Sequence, residues 1–261
     1  MTTNPEPSTP AIDVVAIDGP SGAGKSTVAR MLAQKLGFAY LDTGAMYRAV
    51  TWFFLENQWG DAGSAGAEEA ARVEELLDQL DLDVRPDGHV ILNGRDVSSH
   101  LRSREVESRV SVVSAMPLVR TRMRSLQQRI ASRTPVVAEG RDMASVVFPG
   151  ARWKFFLDAE PEERARRRHE EFVRRGREIS EHDVLEEIAV RDRLDSTRKD
   201  APLQRTIEAL YVDTTGLTLE QVVDAMWQQI RPSSRTNGPS STDASGAAPA
   251  DASPRDGAAH P

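Results

Sequence analysis

A chain of 261 residues is long enough for one α/β domain with an inserted segment. It holds no cysteine, which excludes disulfides and thiolate-ligated metal sites, and no run of 18 apolar residues that could cross a membrane as a helix. Its formal net charge of -7 argues against a general nucleic-acid binder, which would be basic. The start, MTTNPEPSTPAID, has neither the basic region nor the apolar core of a secretion signal, so a soluble cytoplasmic protein is expected.

Residues 1–11 and 233–261 hold Ser, Pro, Ala, Gly and Asp but no large apolar side chain beyond the initiating Met1. Such segments cannot bury enough surface to offset their ordering entropy, and both read as disordered tails around a body at 12–232. The body carries 31 basic and 36 acidic residues, and no internal repeat is visible.

The first element is the apolar run Asp13–Asp18, suited to a buried parallel strand. A glycine-rich turn leads to an amphipathic helix over about 25–36, closed by Gly37. Ala39-Tyr40-Leu41 reads as a strand, and 44–57 as a helix with Met46, Val50, Phe53 and Phe54 on one face. Gly60 to Gly66 is a break. A helix over about 67–80 precedes three short strands, Leu82–Arg85, His89–Leu92 and Asp96–Val97. Pro86-Asp87-Gly88 and Asn93-Gly94 join them as tight turns. The region 60–100 is therefore a β-rich insert outside the βαβ alternation.

Helices follow at about 103–115 and 117–133, with Pro117 in the first turn of the second. A strand at Pro135–Ala138 leads into Glu139-Gly140-Arg141-Asp142. Another at Trp153–Leu157 precedes an arginine-rich helix from Pro161, so that about 160–178 forms a lid. Ser180 with Asp183 opens the next helix. Leu210–Asp213 is the last strand, and Thr218 with Gln221 makes a capping box for a helix at 219–230. The alternation predicts a three-layer α/β fold with a parallel sheet covered on both faces.

Gly19-Pro20-Ser21-Gly22-Ala23-Gly24-Lys25-Ser26 fits the pattern G-x-x-x-x-G-K-[ST], between a strand and a helix as its mechanism requires. Glycines let the backbone fold around an oxyanion, and successive N–H groups then point inward at a helix N-terminus. Lys25 supplies a charge to the β- and γ-phosphates, and the Ser26 hydroxyl is a Mg²⁺ ligand. ATP and Mg²⁺ are the implied donor and ion. No N-K-x-D motif for guanine is present, and the chain is short for a motor or helicase. A small kinase fits. An anionic acceptor would need several arginines on its own side of the site.

With these residues in place, the chain resembles the bacterial cytidylate kinases from about Ile12 to Gln229. The matching segments are IDGPSGAGKST (17–27), LDTGAMYR (41–48), GRDM (140–143), VVFPGA (146–151), FLDA (156–159), EERARRR (162–168) and RDRLDSTRKDAPL (191–203). The 60–100 insert is similar to that family's enlarged monophosphate-binding region. The resemblance implies a P-loop kinase acting on CMP and dCMP, with Gly19 through Thr27 holding ATP. It implies that Thr43, Arg48 and Arg141 hold the CMP phosphate. Ser111, Arg120 and Asp142 would read the cytosine edge, Arg191 and Asp195 would hold ribose and phosphate, and Arg198 would be a phosphate-side arginine. Arg164, Arg167 and Arg168 would belong to the lid over ATP. Thr43 and Glu139 stand where the family often has Ser and Asp.

The residues on their own leave alternatives open. Arg191, Asp195 and Arg198 at i, i+4 and i+7 share one helix face, but i,i+4 spacing also describes an ordinary surface ion pair. Arg164–Arg168 also fits a solvated helix face, Ser111 a surface serine, and Thr43 an N-cap. The five histidines show no metal-ligand spacing. A carboxylate can accept from the N4 amino group of cytosine but not from the O4 of uracil. The rival readings are another small kinase such as guanylate kinase, a nucleic-acid-binding ATPase, which the acidic body disfavours, and a non-catalytic nucleotide-binding module. A monomer with no membrane or nucleic-acid partner is expected.

Overall fold

The computed structural model describes residues 13–60, 67–85 and 88–230. The expected tails lie outside them, as do most of the Gly60–Gly66 break and the Pro86-Asp87 part of the expected turn.

Five parallel strands form the central sheet: β1 (Val14–Asp18), β2 (Ala39–Asp42), β6 (Val136–Gly140), β7 (Trp153–Asp158) and β8 (Leu210–Asp213), in the order β2-β6-β1-β7-β8. Every residue of β1 is buried, which its continuous apolar run requires when both faces are covered. Its alternating side chains go to two different cores. Val14 and Ala16 pack with α2 (Thr43–Glu56), α4 (Arg104–Ala115) and α5 (Pro117–Ala131). Val15 and Ile17 pack with α1 (Lys25–Leu36) and α8 (Leu219–Ile230). A third, small core of Ala165, Phe172, Val184 and Ile188 joins α6 (Pro161–Arg174) to α7 (Glu181–Thr197).

The insert forms α3 (Ala67–Asp78) and an antiparallel sheet of β3 (Leu82–Val84), β4 (Val90–Leu92) and β5 (Arg95–Asp96). Asn93 and Gly94 both take positive φ, 49° and 76°, as a two-residue hairpin turn demands. Leu82, Val90, Leu92 and Val97 join the core under α2, so the insert is continuous with the main body rather than a separate globule.

Several helix ends match their local chemistry. Ser180 accepts from the Asp183 N–H at 3.1 Å. Thr218 and Gln221 exchange the two bonds of the capping box, at 2.9 and 3.3 Å. At α2 the cap is Asp42, which accepts from the Ala45 N–H at 2.7 Å; Thr43 is the first helical residue instead. Between β6 and β7 the chain forms a one-turn π-helix, Met143–Val147, which no local pattern of residues announces.

Candidate active site

Strands β1, β2 and β6 all end at one edge of the sheet, and their following turns line a cavity of about 790 Å³. Ligands in open α/β sheets bind at this carboxyl end. Thirteen basic and seven acidic side chains line the cavity, so an acidic chain has concentrated positive charge in one place. Two highly anionic groups could approach each other there.

Of the phosphate loop, Ser21, Gly22, Gly24, Lys25, Ser26 and Thr27 face the cavity. Gly19, Pro20 and Ala23 shape it from behind. A Cβ on Gly19 would lie 1.9 Å from the Leu157 carbonyl oxygen, so only glycine fits against β7. Gly22 has φ +82°, and a Cβ there would meet the Arg164 Cβ at 2.8 Å. Lys25 is buried and donates to the Pro20 carbonyl at 2.7 Å. Burial first, then the nearby Arg141 charge, lowers its pKa to about 7. Ser26 Oγ donates to Glu139 Oε1 at 2.6 Å, and Glu139 is itself buried. A hydroxyl and a carboxylate side by side beside the phosphate lysine are hard oxygen donors of the kind Mg²⁺ prefers.

Opposite the loop, carboxylates and guanidiniums alternate. Arg120 donates to Asp142 at 2.5 Å, to Asp200 at 3.2 Å and to the Ser114 carbonyl at 3.3 Å. Arg198 lies 3.6 Å from Asp142 and 3.9 Å from Asp195. Arg141 donates to Asp195 at 2.8 Å. Thr43 lines the cavity while its hydroxyl donates to the Glu139 carbonyl at 2.6 Å. Arg48 reaches Asp42 only at 3.4 Å, and its Nε has no hydrogen-bond partner among the described residues. Arg191 Nε likewise has none. Burial first, then Arg141, lowers the Arg191 pKa to about 10, and the nearby Asp195 charge offsets this only in part.

A family model described as cytidylate kinase matches residues 15–232. The chain is 49% identical over 212 residues to the cytidylate kinase of Carboxydothermus hydrogenoformans, covering 80% of this chain and 93% of that one. The cytidylate kinase of Caldanaerobacter subterraneus subsp. tengcongensis is 47% identical, with 83% and 94% covered. A bifunctional pantoate ligase/cytidylate kinase from Synechococcus sp. WH7803 is 48% identical over 82% of this chain, which spans 43% of that protein.

The chain belongs to the cytidylate kinase family. As a cytidylate kinase relative it departs from the expected site in three places. Ser111 does not line the cavity; Val110 and Ser114 of the same helix do. Arg198 is not on a helical face with Arg191 and Asp195. It is the C-cap of α7, with ψ 144°, and its side chain turns back to Asp142 and Asp195 from extended backbone. Arg164 does not line the cavity. It lies behind the phosphate loop, donating to the Ser21 carbonyl at 3.0 Å, to the Ala159 carbonyl at 3.0 Å and to Asp192 at 2.5 Å. The packing of Gly22 on Arg164 fixes the loop from below, whereas Arg167 and Arg168, a turn further on, do line the cavity.

Residues outside the expected set also enter the site. Asp200 shares Arg120 with Asp142, and Tyr47 lines the cavity beside them. Both lie inside segments that carry the family resemblance, so local sequence pointed at the segment but not at the side chain. Arg102 lines the cavity and pairs with Glu171 of α6 at 3.2 Å, and Arg168 reaches Glu107 of α4 at 2.9 Å. These pairs join the arginine-rich helix to the opposite wall. Among the described residues no helix is long and apolar enough to cross a membrane.

Proposed function

We propose that the chain transfers the γ-phosphoryl group of ATP to the phosphate of CMP and dCMP, giving CDP and dCDP, in the cytoplasm and as a monomer. The observation that carries this reading is the pair of cationic walls: Lys25 in the phosphate loop, and Arg48, Arg141 and Arg191 facing it, with the buried Nε of Arg191 left without a hydrogen bond among the described residues. An ATPase or a passive nucleotide binder has no use for the second wall.

The attacking atom is a phosphate oxygen of CMP, already ionised in good part at neutral pH because its second pKa is near 6, as for phosphate monoesters generally. No general base is required. The work left for the chain is to hold two anions in line and to stabilise charge as it moves between them. Lys25 and the loop N–H groups hold the β- and γ-phosphates. Thr43, Arg48, Arg141 and Arg191 hold the acceptor phosphate, with Asp195 orienting Arg141. Asp142 and Arg120 read the cytosine, Asp142 accepting from N4. Ser26 and Glu139 would hold Mg²⁺, which when bound supplies additional charge neutralisation between donor and acceptor. Arg167 and Arg168 belong to a lid over about 160–178 that excludes water from the phosphates.

The test is an ADP-release assay across the common ribo- and deoxyribonucleoside monophosphates. CMP and dCMP should be turned over well, UMP less, and purine monophosphates poorly. Robust turnover of GMP without turnover of CMP would refute the reading.

A further inference from the structure

Asp18 ends β1 one residue before the phosphate loop and has no part in the site described above. Its carboxylate is 1% exposed and does not line the cavity. Its two oxygens are both in use. Oδ1 accepts from the Met143 N–H and Oδ2 from the Ala144 N–H, each at 2.8 Å. Those are the first two amides of the π-helical turn, and they directly follow Arg141 and Asp142. In the sheet, Asp18 stands in register with Gly140. A single side chain therefore spans from the strand that launches the phosphate loop to the turn that carries the phosphate clamp and the base reader.

We propose that Asp18 is a positioning residue of the acceptor site, its bidentate grip on the Met143 and Ala144 amides setting where Arg141 and Asp142 stand relative to the phosphate loop. The inference rests on the acceptor reading of Arg141 and Asp142 given above. The chemistry favours it over simple capping. A buried carboxylate is a costly way to satisfy two amides: desolvation dominates, and Asp142 adds repulsion that the amide bonds and Lys25 only partly offset, so its pKa rises to about 6. A group whose folded pKa lies above its unfolded one contributes its stability below the unfolded value, and that contribution is lost as pH rises through 6. By neutral pH most of that contribution is gone. What the carboxylate gives in exchange is geometry. Two parallel N–H bonds fix both the position and the rotation of the turn, which one neutral acceptor would not do.

The experiment is steady-state kinetics of Asp18→Asn and Asp18→Ser, with CMP, UMP and ATP each varied, alongside melting temperature. Asparagine keeps the shape but presents an NH₂ to one of the two amides. The KM for CMP should rise about tenfold and the CMP-over-UMP preference should shrink several-fold, while the KM for ATP stays within about threefold and the melting temperature does not fall in proportion. Equal losses toward CMP and ATP, accompanied by a fallen melting temperature, would overturn the proposal, as would unchanged constants or failure of both variants to fold. Asp142→Asn serves as the control. If Asp142→Asn alone leaves base preference unchanged, the reading of Asp142 is at fault. If Asp142→Asn abolishes the preference and Asp18→Asn does not touch it, only the role of Asp18 falls.

Discussion

Arg191 offers a test in which stability and activity move in opposite directions. Its Nε is buried without a hydrogen bond among the described residues, and burial with repulsion from Arg141 lowers its pKa to about 10. A shift of that size corresponds to about 3 kcal/mol held against the charged form at 1.36 kcal/mol per unit. The sign follows directly: the folded pKa is the lower one, and both values lie well above neutrality, so the whole cost is present at pH 7. Part of the guanidinium meets solvent, and water screens the repulsion, so about 1 kcal/mol is a safer figure for what removal returns. Replacing Arg191 by Met keeps most of the aliphatic volume and removes the charge. For a body of this size that gain is worth roughly 2–4 °C in melting temperature. The same change strips the acceptor wall of a cation whose buried Nε has no hydrogen bond among the described residues, and kcat/KM for CMP should fall on the order of 10³. Differential scanning fluorimetry of the unliganded protein and the ADP-release assay read the two effects. A melting temperature lowered by several degrees, with activity within tenfold of the parent, would show that Arg191 belongs to the fold and would refute the argument.

Lys25→Ala should cut kcat by about 10³ or more while leaving the unliganded melting temperature within a few degrees. Because burial lowers the Lys25 pKa to about 7, the ammonium is charged below that value and must take up a proton to meet ATP above it. The KM for ATP should therefore rise between about pH 6 and 9, and a flat profile would count against the assignment. Asp142→Asn should weaken the preference for CMP over UMP, because an amide NH₂ can meet the O4 of uracil; parallel losses for both bases would mean that Asp142 only holds Arg120. Gly22→Ala places a methyl group at φ +82° against Arg164, and should raise the KM for ATP and lower the melting temperature together. An unchanged KM for ATP would show that the loop does not rely on that contact.

Most of the fold could be read from the chain because its cues are local. The helix at 25–36 was bounded by a phosphate loop and a C-terminal glycine, and the last helix by a capping box, and both stand at the expected residues. The Asn93-Gly94 hairpin needed only the positive φ that those residues tolerate. What escaped was set by partners distant in sequence. The π-helical turn is held by Asp18, 125 residues away. Arg164 shares a helical face with Arg167 and Arg168, but periodicity cannot say that the first turn of α6 packs under Gly22 while the next turns reach the cavity. Arg198 kept its expected neighbours by a different route, leaving the helix and turning back.

The alternation of charge across the acceptor wall explains how so many arginines can wait for a substrate without disrupting the fold. Asp200, Arg120, Asp142, Arg198, Asp195 and Arg141 form a chain in which each carboxylate faces one or two guanidiniums. In low dielectric such a network holds each head group in one orientation, although the buried Nη2 of Arg198 has no hydrogen bond among the described residues. Donors fixed before the substrate arrives need no reorganisation when charge develops, which is where preorganised sites gain their rate. Two further members of the wall lie outside this chain. Arg191 lacks a hydrogen bond altogether at Nε, and Arg48 is reached only by long contacts to Asp42. On the proposed reading, an acceptor phosphate would supply what those two cations lack and relieve the repulsion between them and Arg141. On the proposed reading the carboxylates of the network set the geometry, and the incompletely paired arginines favour a second anion beside ATP.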